Sequence, residues 1–141
     1  MSAADGLAVA LVFTWLGMVL GISFLEAPLK FRAPGVTLQL GLGIGRLVFR
    51  ALNSVEVVLA VVVAVALVAG SPARATVAAY VVTAAALVVQ LLVVRPRLGR
   101  RSDAVLAGAD APRSRAHLGY VALELVKVVA LVVTGVTLLA A

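Results

Sequence analysis

The chain has 141 residues, of which 64% are hydrophobic and 13% charged, with no cysteine and a formal net charge of +6. Soluble domains carry roughly 25% charged residues, so about half the usual polar coat is missing. That excludes an ordinary soluble domain, and the lack of cysteine excludes disulfides, thiolate metal sites and cysteine nucleophiles.

The apolar residues fall in runs longer than a soluble core needs. Four spans of about 20 residues fit the length with short loops to spare. The expected class is all-α: a four-transmembrane-helix bundle forming a single membrane domain over residues 1–141.

The first apolar run, Leu7 to Phe24, predicts a first span over about 7–25. It does not read as a signal peptide. Asp5 precedes it without any Lys or Arg, and no small-x-small cleavage site follows. In Glu26-Ala-Pro-Leu-Lys-Phe-Arg-Ala-Pro-Gly35, two prolines break the helix and Gly35 permits a turn, giving loop 1. Thr37 can cap the next helix.

Leu38 to Ala69 would reach roughly 48 Å as one helix, against a hydrocarbon core of about 30 Å. Gly41, Gly43 and Gly45 suggest a break. The expectation is an interfacial or re-entrant segment over 36–45, then a second span over about 46–69. Gly70-Ser-Pro-Ala-Arg74 makes a tight second loop. A third span is expected over about 75–94, ended by Pro96. Arg95 to Arg115 is a polar loop 3 with six arginines, Asp103 and Asp110, and a short surface helix over 102–109. A fourth span follows over about 116–139. No motif relates the first two helices to the last two as a duplicated pair.

Loops 1 and 3 hold Lys30, Arg32 and those six arginines, while the opposite side holds Arg74 alone. The positive-inside rule then places loops 1 and 3 in the cytoplasm and both termini outside. The basic charge is explained by topology before nucleic acid, which is not an expected partner. The expected setting is the inner (plasma) membrane, crossed several times. Loop 3 can also meet acidic lipid headgroups, at about 1 kcal/mol per basic residue.

A charge near mid-span costs about 2.5–3.5 kcal/mol on insertion scales and needs a reason. The second span carries Arg46, Arg50, Asn53 and Glu56; the fourth carries His117, Tyr120, Glu124 and Lys127. Steps of three and four keep each set on one face. The charge order is opposite on the two helices, so Arg50 is expected to pair with Glu124 and Glu56 with Lys127. Two readings stand side by side. The pairs are interhelical glue, with Arg46 snorkelling to the surface, or they line a polar path for a small solute, ion or proton. Glu26, at the same level, is either a solvated end charge or a gate partner for Arg46 or Arg32.

His117 is the sole histidine, so one chain cannot supply two axial haem ligands or a zinc site from it. No metal and no cofactor are expected. The three aspartates lie in loops or the N-terminal tail, and no Ser-His-acid set can be argued, so no catalytic residue is assigned. Gly17 and Gly21, and Gly41 and Gly45, give the spacing that lets helices approach closely. Gly41-Leu-Gly-Ile-Gly45 lacks the Lys-Ser/Thr ending of a phosphate loop. Trp15 sits mid-span, where packing explains it first.

Phe13-Thr-Trp-Leu-Gly17, then Ser23-Phe24, Pro28 and Phe31, resemble the bacterial relatives of transmembrane protein 205. Arg95-Pro96-Arg97 stands where that family often has an Arg-x-x-Glu-Pro-like exit, and the acid is absent here. The resemblance implies four helices and no established catalytic residues. A human member is associated with the handling of platinum drugs, which favours transport. The leading expectation is a small homo-oligomeric transporter or channel with a path along Arg50, Glu56, Glu124 and Lys127. The alternative is a non-catalytic accessory or scaffold subunit of a larger membrane complex.

Overall fold

The computed structural model describes residues 1–108 and 115–141. Among them the chain is helical without strands, and four helices are long and apolar enough to cross a membrane. They are α1 (Ala3–Arg32), α2 (Leu38–Ala69), α3 (Arg74–Leu106) and α4 (Arg115–Ala140). The chain is a small multi-pass membrane protein built as a four-helix bundle. Asp110 and Arg113 of the expected loop 3, and residue 109 of its expected surface helix, lie outside the described residues.

Local chemistry sets the helix starts. Ser2 accepts from the Asp5 amide, and Asp5 answers to the Ser2 amide at 3.2 Å, a reciprocal capping box. Thr37 caps α2 as expected, its hydroxyl accepting from the Leu40 amide at 3.1 Å.

Three expected breaks are absent. α1 runs through Pro28, and α3 runs through Pro96 to Leu106, taking in most of the expected loop 3 and of its surface helix. A helical proline lacks an amide donor and crowds the carbonyl four residues back. Here those carbonyls belong to Phe24 and Leu92, and both lie in wide π-helical turns, Leu20–Glu26 and Gln90–Val94. The wide turns take up the crowding, so the helices continue. α2 is also unbroken: residues 38–45 form its first turns instead of a re-entrant segment. Glycine lowers helix propensity by about 1 kcal/mol but does not forbid a helix.

α1, α2 and α3 contain 30, 32 and 33 residues, so each exceeds the roughly 20 that cross the hydrocarbon core. Gly70–Ala73 joins α2 tightly to α3, Asp5 lies against Gly70 and Thr76 bonds Thr137, so this end also holds the start of α1 and the last turns of α4. Counting about 20 residues from that end puts the opposite membrane edge near Ser23, Phe49, Val94 and Tyr120. Beyond it, the remaining turns of α1, α2 and α3 project as walls.

α1 packs on α2 and α4, and α3 packs on α4. α2 and α3 touch little along the span, where the Tyr80 hydroxyl donates to the Ala60 carbonyl. They meet again past Arg95, where Gln39 donates to the Val105 carbonyl at 3.2 Å. The core is formed by Ala8, Val12, Trp15 and Val19 of α1 against Leu59, Val63, Leu87, Leu131 and Leu138. The valines and leucines on the outer faces are exposed, as lipid contact requires.

Gly41 is buried because the Phe31 ring lies on its backbone. A Cβ there would collide with the ring. Gly41→Leu is therefore expected to expel Phe31 and cost about 1–3 kcal/mol by overpacking. Thermal unfolding in detergent should show this loss, and Phe31→Ala should restore part of it. An unchanged midpoint would remove the contact from the account. Gly17 and Gly21, by contrast, have open space where a side chain would go, so their spacing serves no close approach among the described residues.

The two halves repeat in register. The step from Pro28 to Pro96 equals the step from Glu56 to Glu124. The same step carries buried Ala8, Trp15 and Val19 onto buried Thr76, Thr83 and Leu87, and buried Leu52, Leu59 and Val63 onto buried Tyr120, Lys127 and Leu131. Few residues are identical, which is why no motif shows the relation.

Candidate functional site

Four polar side chains meet where α2, α3 and α4 face each other, one layer below the membrane edge. Glu56, Glu124 and Lys127 are at most 1% exposed, as is Gln90. The Lys127 ammonium lies 2.5 Å from Glu56 Oε2 and 2.6 Å from Glu124 Oε1, and donates to Gln90 Oε1 at 2.8 Å. Three acceptors thus use its three protons. Gln90 turns its amide nitrogen to Glu124 Oε1 at 3.0 Å.

α1 closes the network from the other side. The Trp15 indole donates to Glu56 Oε2 at 3.1 Å, and the Ser23 hydroxyl to Glu124 Oε2 at 2.5 Å. The Tyr120 hydroxyl also donates to that oxygen, at 3.1 Å. Glu124 thereby gathers four donor groups. Glu56 receives two, both on one oxygen, and its Oε1 is buried without a partner among the described residues. Two of the four donors to Glu124 come from the wide turns, which carry Ser23 and Gln90. A π turn shifts the register of a helix face, and such turns recur at functional sites.

The expected pair Glu56–Lys127 is present. The expected pair Arg50–Glu124 is not: Glu124 faces Lys127 from one turn along its own helix, and Arg50 is exposed with no ion pair among the described residues. Helical pitch decides this, because Glu124 and Lys127 are three residues apart and share a face. Arg46 pairs with Asp103 at 2.8 Å, both largely exposed, so that bridge contributes little. Glu26 lies 3.8 Å from Lys30, one helical turn on, and is not bridged to Arg46 or Arg32. Asn53 is buried and His117 half-buried.

Above the network, the projecting walls enclose a cavity of about 860 Å³. Ser23, Asn53 and Tyr120 line its deep end, and two of these, Ser23 and Tyr120, hold Glu124. Its walls carry Lys30, Arg46, Arg50, Arg95, Arg101 and His117 together with Phe24, Phe31 and Phe49. The Arg95 guanidinium sits 4.9 Å from the Phe49 ring centre and 4.6 Å from that of Tyr120, and the two rings meet edge to face at 5.8 Å. Below the network, the α3–α4 seam is closely packed. Thr83 and Thr134 are fully buried and bond back to their own helices, and Thr76 donates to Thr137 near the far end.

No family model, curated protein or solved structure matches the chain. The site must therefore be read from its own geometry. Among the described residues, no group of three or more His, Asp and Glu could hold a metal ion.

Four contributors escaped the sequence pattern, and Ser23 among them showed only as a lone hydroxyl near the end of the first apolar run. Gln90 was legible as the only amide in the apolar run from Val77 to Val94. Trp15 sits mid-span, where packing was a sufficient reason for it, and its indole donor adds a second. Arg95 looked like part of a surface loop, and only the continuation of α3 past Pro96 puts it in the cavity wall.

Proposed function

We propose that this chain is a small transporter or channel for a solute or ion, working as a homo-oligomer in the inner membrane. One observation carries the proposal. A large chamber with basic and aromatic walls opens at one end of the bundle, above a buried Glu56–Lys127–Glu124 network, while the α3–α4 seam beyond is closed. A chamber open to one side above a charged constriction is what a solute path needs at rest. Glue alone accounts for the ion pairs but not for the chamber above them. The excess of Lys and Arg at the chamber end orients it to the cytoplasm and the termini outward. The resemblance to the transmembrane protein 205-like family points the same way, and we assign no enzymatic step. Gly17 and Gly21 offer a close-approach face for a neighbouring copy.

The test is solute flux in proteoliposomes loaded with a mixed set of small anions and cations. The intact chain should release one class faster than empty vesicles. Glu124→Gln should change that rate by about tenfold or more, as removal of a charge-assisted contact worth about 1.4 kcal/mol implies. If the native mass in mild detergent is instead a fixed complex with a different protein, and no flux is seen, the accessory-subunit role replaces this one.

A further inference from the structure

We infer that the chamber is a binding site for an amphipathic oxyanion, with a phosphate or carboxylate head seated against Arg95 and an apolar body lying on the phenylalanine rings. The inference rests on the chamber being the substrate site and names the class of substrate.

Charge comes first. No Asp or Glu lines the chamber among the described residues, while five Lys or Arg side chains do. Two of these are answered from outside the wall, Lys30 by Glu26 and Arg46 by Asp103. Arg50 and Arg95 have no carboxylate within ion-pair reach among the described residues. The chamber therefore holds uncompensated positive charge, and a cationic ligand is disfavoured.

Arg95 then locates the head. Its Nε and Nη2 are buried and donate to no acceptor among the described residues. Phe49 and Tyr120 hold the guanidinium by its cationic carbon, which leaves the donors unused. Buried donors of this kind call for an acceptor. The guanidinium fork fits a carboxylate or phosphate with two parallel hydrogen bonds. The head goes no deeper, because Glu124 lies immediately behind Tyr120.

The walls define the rest of the ligand. Phe24, Phe31, Phe49, Val57 and Leu91 line the same space. A bare inorganic ion would leave those rings uncovered, and a volume of about 860 Å³ is that of a site for a drug-sized molecule. The chamber sits at the membrane edge, so the oxyanion can come from a lipid headgroup or from a soluble organic acid. The recognition chemistry is the same for both.

The experiment is calorimetric titration of the full chain in neutral detergent with 1-naphthyl phosphate, inorganic phosphate and 1-naphthol. Naphthyl phosphate should bind about tenfold or more tightly than either fragment, since head and body each contribute. Arg95→Gln should weaken it by about tenfold or more, the worth of one charge-assisted contact, while Arg97→Gln, outside the chamber, should not. Arg50→Gln is the second variant: its side chain is exposed, so the fold tolerates it, and it too should weaken binding. Naphthol or inorganic phosphate binding as tightly as naphthyl phosphate overturns the inference. So does unchanged binding in both Arg50→Gln and Arg95→Gln. Repeating the titration in phosphatidylcholine nanodiscs with and without phosphatidate separates the sources. Competition by phosphatidate assigns a lipid headgroup, and no competition assigns a soluble acid. Binding without flux would sink the transport proposal and leave this site standing. Flux without Arg95-dependent binding would do the reverse.

Discussion

Lys127→Met is expected to destabilise the bundle by about 3–5 kcal/mol, because it strands two buried carboxylates without a countercharge. The ammonium contacts Glu56, Glu124 and Gln90 at 2.5–2.8 Å, and neither carboxylate is more than 1% exposed. Charge counting ranks the single variants. Lys127→Met leaves two negative charges together, whereas Glu56→Gln or Glu124→Gln leaves one acid facing one base. The lysine variant should therefore be much the worst of the three. The triple variant Glu56→Gln, Lys127→Met, Glu124→Gln should recover most of the loss, since neutral side chains of similar volume need no partner of opposite sign. Thermal unfolding in detergent, with monodispersity on gel filtration, measures all four proteins. A triple variant no better than Lys127→Met alone would show that packing, not charge, sets the cost. The simple exchange of Glu56 and Lys127 should restore less than the triple variant, because it brings a new carboxylate beside Glu124.

Much of the fold was legible because lipid imposes a simple rule. Apolar length locates a span, so the fourth helix came out within a residue or two at Arg115–Ala140. The helix ends on the chamber side were not legible for a specific reason. Pro28, Pro96 and the glycines at 41, 43 and 45 are local signals for a break, and each was outweighed by wider context. Two wide turns accommodate the prolines, and the Phe31 ring packs on Gly41. A π turn leaves no composition signature, so nothing in the sequence announces it.

The candidate site divides in the same way. Spacing along one helix placed Glu124, Lys127 and Tyr120 on one face, and opposite charge order placed Glu56 against Lys127. Spacing cannot say how two helices are rotated, and Arg50 stands in the chamber wall while Glu124 finds its partners on α1, α3 and its own helix. The chamber was invisible because it depends on the overhang of α1, α2 and α3 past the membrane edge. That overhang exists because the prolines do not end α1 and α3 and the glycines do not break α2. One local device, a wide turn ahead of a proline, therefore does two things. It aims Ser23 and Gln90 at Glu124, and it extends α1 and α3, two of the three helices that wall the chamber above them.

Trp15 is the second position where a large effect is expected. Its side chain is wholly buried among Ala8, Val12 and the core of α2 and α4, and its indole donates to Glu56 at 3.1 Å. Trp15→Ala removes the largest ring of the core and should cost about 3–5 kcal/mol. Trp15→Phe keeps most of the apolar bulk and removes the donor. Glu56 Oε1 already has no partner among the described residues, so Oε2 would depend on Lys127 alone. A buried charged acceptor losing a donor costs about 1–3 kcal/mol, which sets the expected loss for the phenylalanine variant. The packing and hydrogen-bond contributions separate in a double-mutant cycle with Glu56→Met, read by thermal unfolding in detergent. Coupling between Trp15→Phe and Glu56→Met of about 1 kcal/mol or more is expected for groups in direct contact. Additive losses would mean that Trp15 acts through packing alone, and the network would then end at α2, α3 and α4 without its α1 anchor at Trp15.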